Sequence, residues 1–249
     1  MCASGCMGGR TEESEGRGHV RRDEIAAGLA EVDARIAAAC RAVGRDRGEV
    51  TLIAVTKTRP AEDVRILSEL GVRDVGENRD QEAALKAREL AGLPLTWHFV
   101  GQLQTNKVRS VVGYADVIHS VDRLRLLETI SKEAVRQGRS VGCLLQVALD
   151  DDPARGGARP ADLLALADEV ALADGVWLGG VMAVAPLGEE PARAFDRLRD
   201  LALRLQEQHP RATMISAGMS EDLAQAVAYG ATHVRVGTAL LGRRKPFVR

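Results

Sequence analysis

Nothing in this sequence calls for a staple, a membrane or a polyanion. Its four cysteines, Cys2, Cys6, Cys40 and Cys143, are scattered. No nearby histidine or second pair completes a metal site around Cys2 and Cys6, so no metal is expected, and scattered thiols fit a reducing compartment. A chain of 249 residues can bury roughly 75% of its unfolded surface without disulfides. Neither sign of charge is in excess: 34 Lys and Arg against 35 Asp and Glu leave a formal −1, which gives no support to a nucleic-acid partner. No apolar run approaches the length of about 20 residues that spans a bilayer. The amino terminus lacks the charged-then-apolar order of a signal peptide. A cytoplasmic protein, free of membranes, is the expectation.

What is present is alternation. Residues 1–19 are mostly Gly, Ser, Glu and Arg with little to bury, which predicts a disordered segment ahead of one domain over 20–249. From Arg21 to Val43 the apolar positions Ile25, Leu29, Val32, Ile36, Cys40 and Val43 recur every three or four residues. That is the stripe of an extra N-terminal helix, which Gly44 can close. The stretch TLIAVTK (51–57) then reads as a strand covered on both sides, with Thr51, Ile53, Val55 and Lys57 on one face and Leu52, Ala54 and Thr56 on the other. Further strands at 72–78, 96–101, 115–122, 140–149, 175–185, 212–218 and 232–237 alternate with helices near 60–70, 80–90, 105–112, 124–135, 161–172, 191–207 and 221–228. Eight strands alternating with helices predict a single parallel (β/α)8 barrel of the TIM type. An open doubly wound sheet is the alternative; it is disfavoured because the strand count closes a barrel and no Gly-x-Gly-x-x-Gly turn follows the first strand.

In such barrels the site sits at the carboxyl ends of the strands. Read in turn, those ends carry Lys57, then Glu77 and Asn78, Gly101 and Gln102, then His119, Ser120 and Asp122, and finally the turns after strands seven and eight. Lys57 is expected partly out of water, where desolvation lowers an amine's pKa and frees it to attack carbonyls. The plainer reading is a lysine that snorkels to solvent. The turn Ser216-Ala217-Gly218-Met219-Ser220 carries a glycine that lets backbone amides approach an anion, and Ser220 suits an N-cap. Gly237 and Thr238 supply a second small turn, and phosphate often binds between these two loops. Glu221 and Asp222 would have to point away; otherwise these are ordinary capping turns. Arg235 shares a face with His233 and Gly237, so its guanidinium points into the site or into an ion pair inside the barrel. An imine-forming lysine, a phosphate cradle and an inward arginine together describe a pocket for pyridoxal 5′-phosphate.

The segments AVTKTRP (54–60), GEN (76–78), WHFVGQLQTNK (97–107), HSVD (119–122), GVMAVAP (180–186) and SAGMSEDLAQAVAYGATHVRVGTALLG (216–242) resemble the YggS/PROSC family of pyridoxal phosphate homeostasis proteins. That family has the barrel of the alanine racemase N-terminal domain without the second domain, and the match covers nearly all of the chain after residue 20. The resemblance implies that Lys57 carries the cofactor as a Schiff base, with Asn78 nearby. It places phosphate contacts around Ser216, Gly218, Met219, Ser220, Gly237 and Thr238, and Arg235 beside the pyridine nitrogen. The chain departs from the family in having Arg79 where many members have Tyr and Ala217 where they have Met. Ala148 and Arg155 replace an Asn and a Lys after strand five.

An arginine keeps its proton at neutral pH and cannot hand it to the ring, so the cofactor stays a poor electron sink. That suits storage or racemisation better than transamination. The implied function is to hold, buffer and deliver pyridoxal phosphate to apo-enzymes that need it, as a monomer, with no residue assigned a catalytic role. Two other readings stand beside it: an amino-acid racemase, and a Schiff-base aldolase for phosphorylated sugars that uses Lys57 and the phosphate turns without a cofactor. A racemase lacks an obvious second base here. Tyr114 and Tyr229 precede strands four and eight at the amino-terminal rim, and Cys143 lies early in strand five. The chain stops about a dozen residues past the eighth strand, which leaves no further domain to bring one. His119 is the one side chain placed to substitute.

Overall fold

The computed structural model describes residues 9–150, 152 and 155–242, with side chains from residue 19 onward. Eight parallel strands close into a barrel in sequence order: β1 (Thr51–Val55), β2 (Asp74–Glu77), β3 (Thr96–Phe99), β4 (Val117–Val121), β5 (Val141–Gln146), β6 (Val176–Met182), β7 (Met214–Ser216) and β8 (His233–Val236). The helices are α1 (Gly9–Ala42), α2 (Ala61–Glu69), α3 (Asp80–Glu89), α4 (Val108–Val112), α5 (Leu124–Gln137), α6 (Leu163–Leu172), α7 (Pro191–Gln208), α8 (Leu223–Ala228) and a short α9 (Thr238–Leu241). The (β/α)8 barrel with an extra N-terminal helix is therefore the architecture, each strand shorter than its apolar run because runs continue into buried loop ends.

Period-two alternation sorts side chains between the barrel interior and the helix layer. Inside, Val117, Leu144 and Met182 pack together with Met214 against them. Outward-facing Ala54, Val234 and Val236 join Ile25, Val32, Ile36 and Cys40 of α1, Ile66 and Leu67 of α2, and Leu240 and Leu241 of α9. The extra helix thus covers the seam where β8 meets β1. Each fully buried Ile or Val there stabilises by about 2–3 kcal/mol at most. Gly28 makes the close approach to α9 possible, since a Cβ there would lie 2.4 Å from the Leu240 carbonyl oxygen. Polar ties follow the same seam: Arg21 grips Asp63 (2.6 Å) and Arg45 caps the Val227 and Ala231 carbonyls (2.9 Å each).

Two expectations need correction. Helix α1 begins at Gly9, not at Arg21, so the part of 1–19 expected to be disordered is helical from Gly9 on. Once a buried helix nucleates, polar residues extend it at little further cost. The expectation for residues 1–8, including Cys2 and Cys6, lies outside the described residues. The second correction is at β1, which stops at Val55. Thr56 N–H makes a last ladder bond to Gly76 O (2.9 Å), and its own carbonyl then accepts Arg59 N–H (3.0 Å) and Lys86 Nζ (2.7 Å). Those bonds turn the chain, and Lys57 is exposed rather than half out of water.

Candidate cofactor site

Strand register assembles the site. Val55 pairs with Gly76 of β2, and Ile53 with Arg235 of β8. Lys57, Asn78 and Gly237 each follow two residues along the chain from these positions, just past the ends of β1, β2 and β8, so an amine, an amide and a small turn come at neighbouring strand ends. Gly237 lies close against Val55: a Cβ on it would sit 3.2 Å from the Val55 carbonyl oxygen. Gly101 locks Asn78 from the other side, where a Cβ would come 2.9 Å from that of Asn78. The Asn78 Oδ1 is buried with no hydrogen-bond partner among the described residues.

Helix α3 holds the turn that presents Lys57. Glu82 accepts the Thr58 amide (3.0 Å), and Thr58 takes a left-handed φ of 62°, which costs a non-glycine residue about 1–2 kcal/mol. Lys86 bonds both the Thr56 carbonyl and Glu77 (2.6 Å), and Thr56 Oγ1 donates to the same carboxylate (2.7 Å). Glu77 therefore faces the helix layer and not the barrel mouth.

Arg235 is the inward arginine expected from the strand pattern, only 6% exposed. Its Nη1 donates to Ser216 Oγ (2.6 Å) and its Nη2 to the Ala183 carbonyl (2.9 Å). No carboxylate lies within ion-pair distance of it among the described residues. Burial pushes its pKa down to about 10, with Asp222 opposing; the side chain is still cationic at neutral pH. Ser216 is fully buried and its hydroxyl is engaged by Arg235 and His119. In the turn beyond, Gly218 has a φ of 87°, and a Cβ there would lie 2.5 Å from that of Ala226. The N-cap of α8 is Asp222, not Ser220. Its carboxylate accepts the Met219 amide (2.6 Å) and closes the turn, so that amide is spent within the protein. Ser220 and Gly237 are half-buried and Thr238 is exposed, which leaves both turns open to an anion.

The positions that depart from the family motifs have structural roles. Arg155 bonds the Val184 and Ala185 carbonyls (3.0 and 2.8 Å) and so ties the loop after β5 to the loop after β6. Ala148 accommodates that loop: its amide donates to Ala158 O (3.0 Å). Arg79 is exposed and pairs with Glu82. Ala217 is buried, its amide on the His233 carbonyl (3.0 Å).

His119 is fully buried with both ring nitrogens occupied, Nδ1 by Ser216 (3.0 Å) and Nε2 by His98 (2.9 Å). Burial first, then the neighbouring His98, Arg235 and His233, hold its pKa well below the ordinary imidazole value. Tyr114 stands edge-on to Trp97, and burial raises its phenol far above the usual range. Tyr229 lies under Arg199, and burial pushes the Cys143 thiol up to about 12. Asp74 and His98 carried no assignment from the sequence. The signal available was a polar residue at the inward parity of five strands, namely Asp74, His98, His119, Ser216 and Arg235.

The fold and this site define a cofactor-type (β/α)8 barrel with a lysine in the turn after its first strand. Residues 29–245 match the family described as alanine racemase, N-terminal domain. The chain is 41% identical over 244 residues to a Mycobacterium tuberculosis protein named pyridoxal phosphate homeostasis protein, covering 90% of this chain and 95% of that one. An Escherichia coli K12 protein of the same name is 37% identical, with coverages of 89% and 97%. The structure of PipY from Synechococcus elongatus with PLP bound is 42% identical, with a TM-score of 0.77 over 88% of this chain and all of that one. Alanine racemase from Clostridium difficile shares the fold at 15% identity and a TM-score of 0.70, and this chain covers 58% of it. The chain belongs to the pyridoxal phosphate homeostasis protein family, within the class built on the alanine racemase N-terminal domain.

Proposed function

We propose that this protein binds pyridoxal 5′-phosphate at the carboxyl mouth of its barrel and holds it for release to apo-enzymes, serving cofactor homeostasis in the cytoplasm as a monomer. The observation that carries the reading is the register that sets Val55 of β1 beside Gly76 of β2 and Ile53 beside Arg235 of β8, with Lys57, Asn78 and Gly237 following just past those strand ends. The donor set fits the ligand. A buried guanidinium without a carboxylate partner among the described residues suits an anionic aromatic ring system, and the Asn78 Oδ1 has no donor among those residues. The cofactor, when bound, supplies a carbonyl carbon and a π-system able to delocalise charge. Lys57 would hold the cofactor at that carbon, and its exposure would leave it open to an incoming amine. Ser220 and Thr238 offer hydroxyls and Gly218 and Gly237 small-residue backbone to the phosphate, whereas the Met219 amide is taken by Asp222. Ser216 acts behind Arg235, which stays protonated and donates toward the ring nitrogen without surrendering its proton.

Efficient racemisation needs a second base within about 3 Å of the substrate proton, or linked through one water. Lys57 serves one face only. His119 has no free nitrogen, and Tyr114, Tyr229 and Cys143 are turned into the helix layer. Borohydride reduction of the loaded protein followed by peptide mass analysis tests the attachment: the pyridoxyl adduct is expected on Lys57 and absent in Lys57→Ala. An adduct of equal yield on another lysine overturns the assignment. Conversion of L-alanine to its D form at ordinary enzyme rates, on the order of 10 per second, overturns the storage reading.

A further inference from the structure

A continuous chain of hydrogen bonds crosses the barrel interior. Asp74 Oδ1 contacts His98 Nε2 (2.9 Å), His98 Nδ1 contacts His119 Nε2 (2.9 Å), and His119 Nδ1 contacts Ser216 Oγ (3.0 Å). Arg235 closes it on Ser216 Oγ (2.6 Å). The lower end opens to water. The Asp74 side chain is 25% exposed and helps line a cleft of about 540 Å³ with Thr51, Leu52 and Arg73 at the amino-terminal end of the barrel. His98, His119 and Ser216 are buried.

We propose that Asp74, His98, His119 and Ser216 are positioning residues that fix Arg235 from the far end of the barrel, by forming a relay that has one allowed direction when both imidazoles are neutral. An arginine only donates and a carboxylate only accepts. With Asp74 accepting from His98 Nε2–H, the Nδ1 of neutral His98 accepts from His119 Nε2–H. The Nδ1 of neutral His119 then accepts the Ser216 hydroxyl proton, which leaves Ser216 Oγ to accept from Arg235. Every contact is satisfied and no donor meets a donor. Doubly protonated His119 would place a second cation beside Arg235 in a buried site, and the depressed basicity of His119 agrees with its exclusion. His233, also on the interior, reaches the relay by charge but makes no hydrogen bond to it among the described residues: its Nδ1 is on Thr232 Oγ1 (2.8 Å) and its ring centroid is 6.4 Å from that of His98. Asp222 is the carboxylate whose charge reaches Arg235, and it contacts no member of the relay. The relay leaves the remaining guanidinium donors of Arg235 aimed by the protein and not by the ligand.

The consequence for cofactor binding rests on the function proposed above; the relay itself does not, and one experiment separates them. Nitrogen-15 histidine NMR on the full, unliganded chain at neutral pH is expected to show His98 and His119 both as neutral Nε2–H tautomers. In Asp74→Asn the amide can accept or donate, so the His119 signals should shift toward a tautomer mixture although residue 74 does not touch that ring. His119 observed as the Nδ1–H tautomer or doubly protonated overturns the relay, and that measurement needs no variant. So do unchanged His119 signals in folded Asp74→Asn or His98→Gln. In parallel, titration with pyridoxal phosphate should give a Kd raised about fivefold or more in Asp74→Asn and restored toward wild type in Asp74→Glu. Unchanged affinity in Asp74→Asn overturns the positioning role. Absence of binding by the wild-type protein defeats the cofactor reading and leaves the NMR result to decide the relay.

Discussion

Acid should loosen this barrel from the inside, and His233 sets the scale. Burial, aided by the neighbouring His98 and opposed by Asp74, lowers its pKa from 6.5 to about 4. In the unfolded chain the same imidazole takes up a proton near pH 6.5, so below that value the unfolded state binds the extra proton and the folded state does not. The stability linked to His233 is therefore complete above about pH 6.5 and is lost as pH falls toward 4. At 1.4 kcal/mol per pH unit the full loss is about 3 kcal/mol, and about 2 kcal/mol of it is gone by pH 5. His119 is displaced in the same direction by burial and adds a loss of the same sign in the same window. Against a typical total of about 5–15 kcal/mol these are large fractions. Urea unfolding followed by circular dichroism at pH 7.5, 6.5, 5.5 and 5 should show the midpoint falling by about 1 M or more. In His233→Gln the fall over that range should be about 2 kcal/mol smaller, because that residue no longer takes up a proton on unfolding. A flat midpoint in the wild-type protein, or an identical slope in His233→Gln, would refute the account of His233 as a half-buried neutral side chain.

The phosphate turns and the support of the Lys57 turn give two further tests. Replacing Ser220 and Thr238 together with alanine should narrow the preference for pyridoxal phosphate over pyridoxal, since charge-assisted hydrogen bonds are the stronger ones; equal affinity for both ligands in the unmodified protein would defeat the cradle. Lys86→Ala strands the buried Glu77 carboxylate, whose Oε2 already lacks a partner among the described residues, and should cost about 3–5 kcal/mol in urea unfolding. A loss below about 1 kcal/mol, typical of an exposed pair, would show that Glu77 is not dependent on that lysine.

Alternation of apolar strands with amphipathic helices was enough to specify the barrel, because period two and period 3.6 sort side chains locally and eight repeats close a sheet. That Lys57, Asn78, the 216–220 turn and the Gly237-Thr238 turn lie at or just past strand ends was legible for the same reason, while Arg235 stands one residue before the end of β8. Local pattern could not set where the ladder stops. β1 ends at Val55 because Lys86 and Glu82, contributed by α3, capture the Thr56 carbonyl and the Thr58 amide, and Lys57 is exposed as a result. Nor does sequence spacing reveal that Glu77 turns outward to Lys86, or that Asp222 spends the Met219 amide. The relay from Asp74 to Arg235 joins residues as far as 97 positions apart in a single contact, His119 to Ser216. Strand order and register, which only closure of the barrel sets, bring those two side chains within hydrogen-bonding distance.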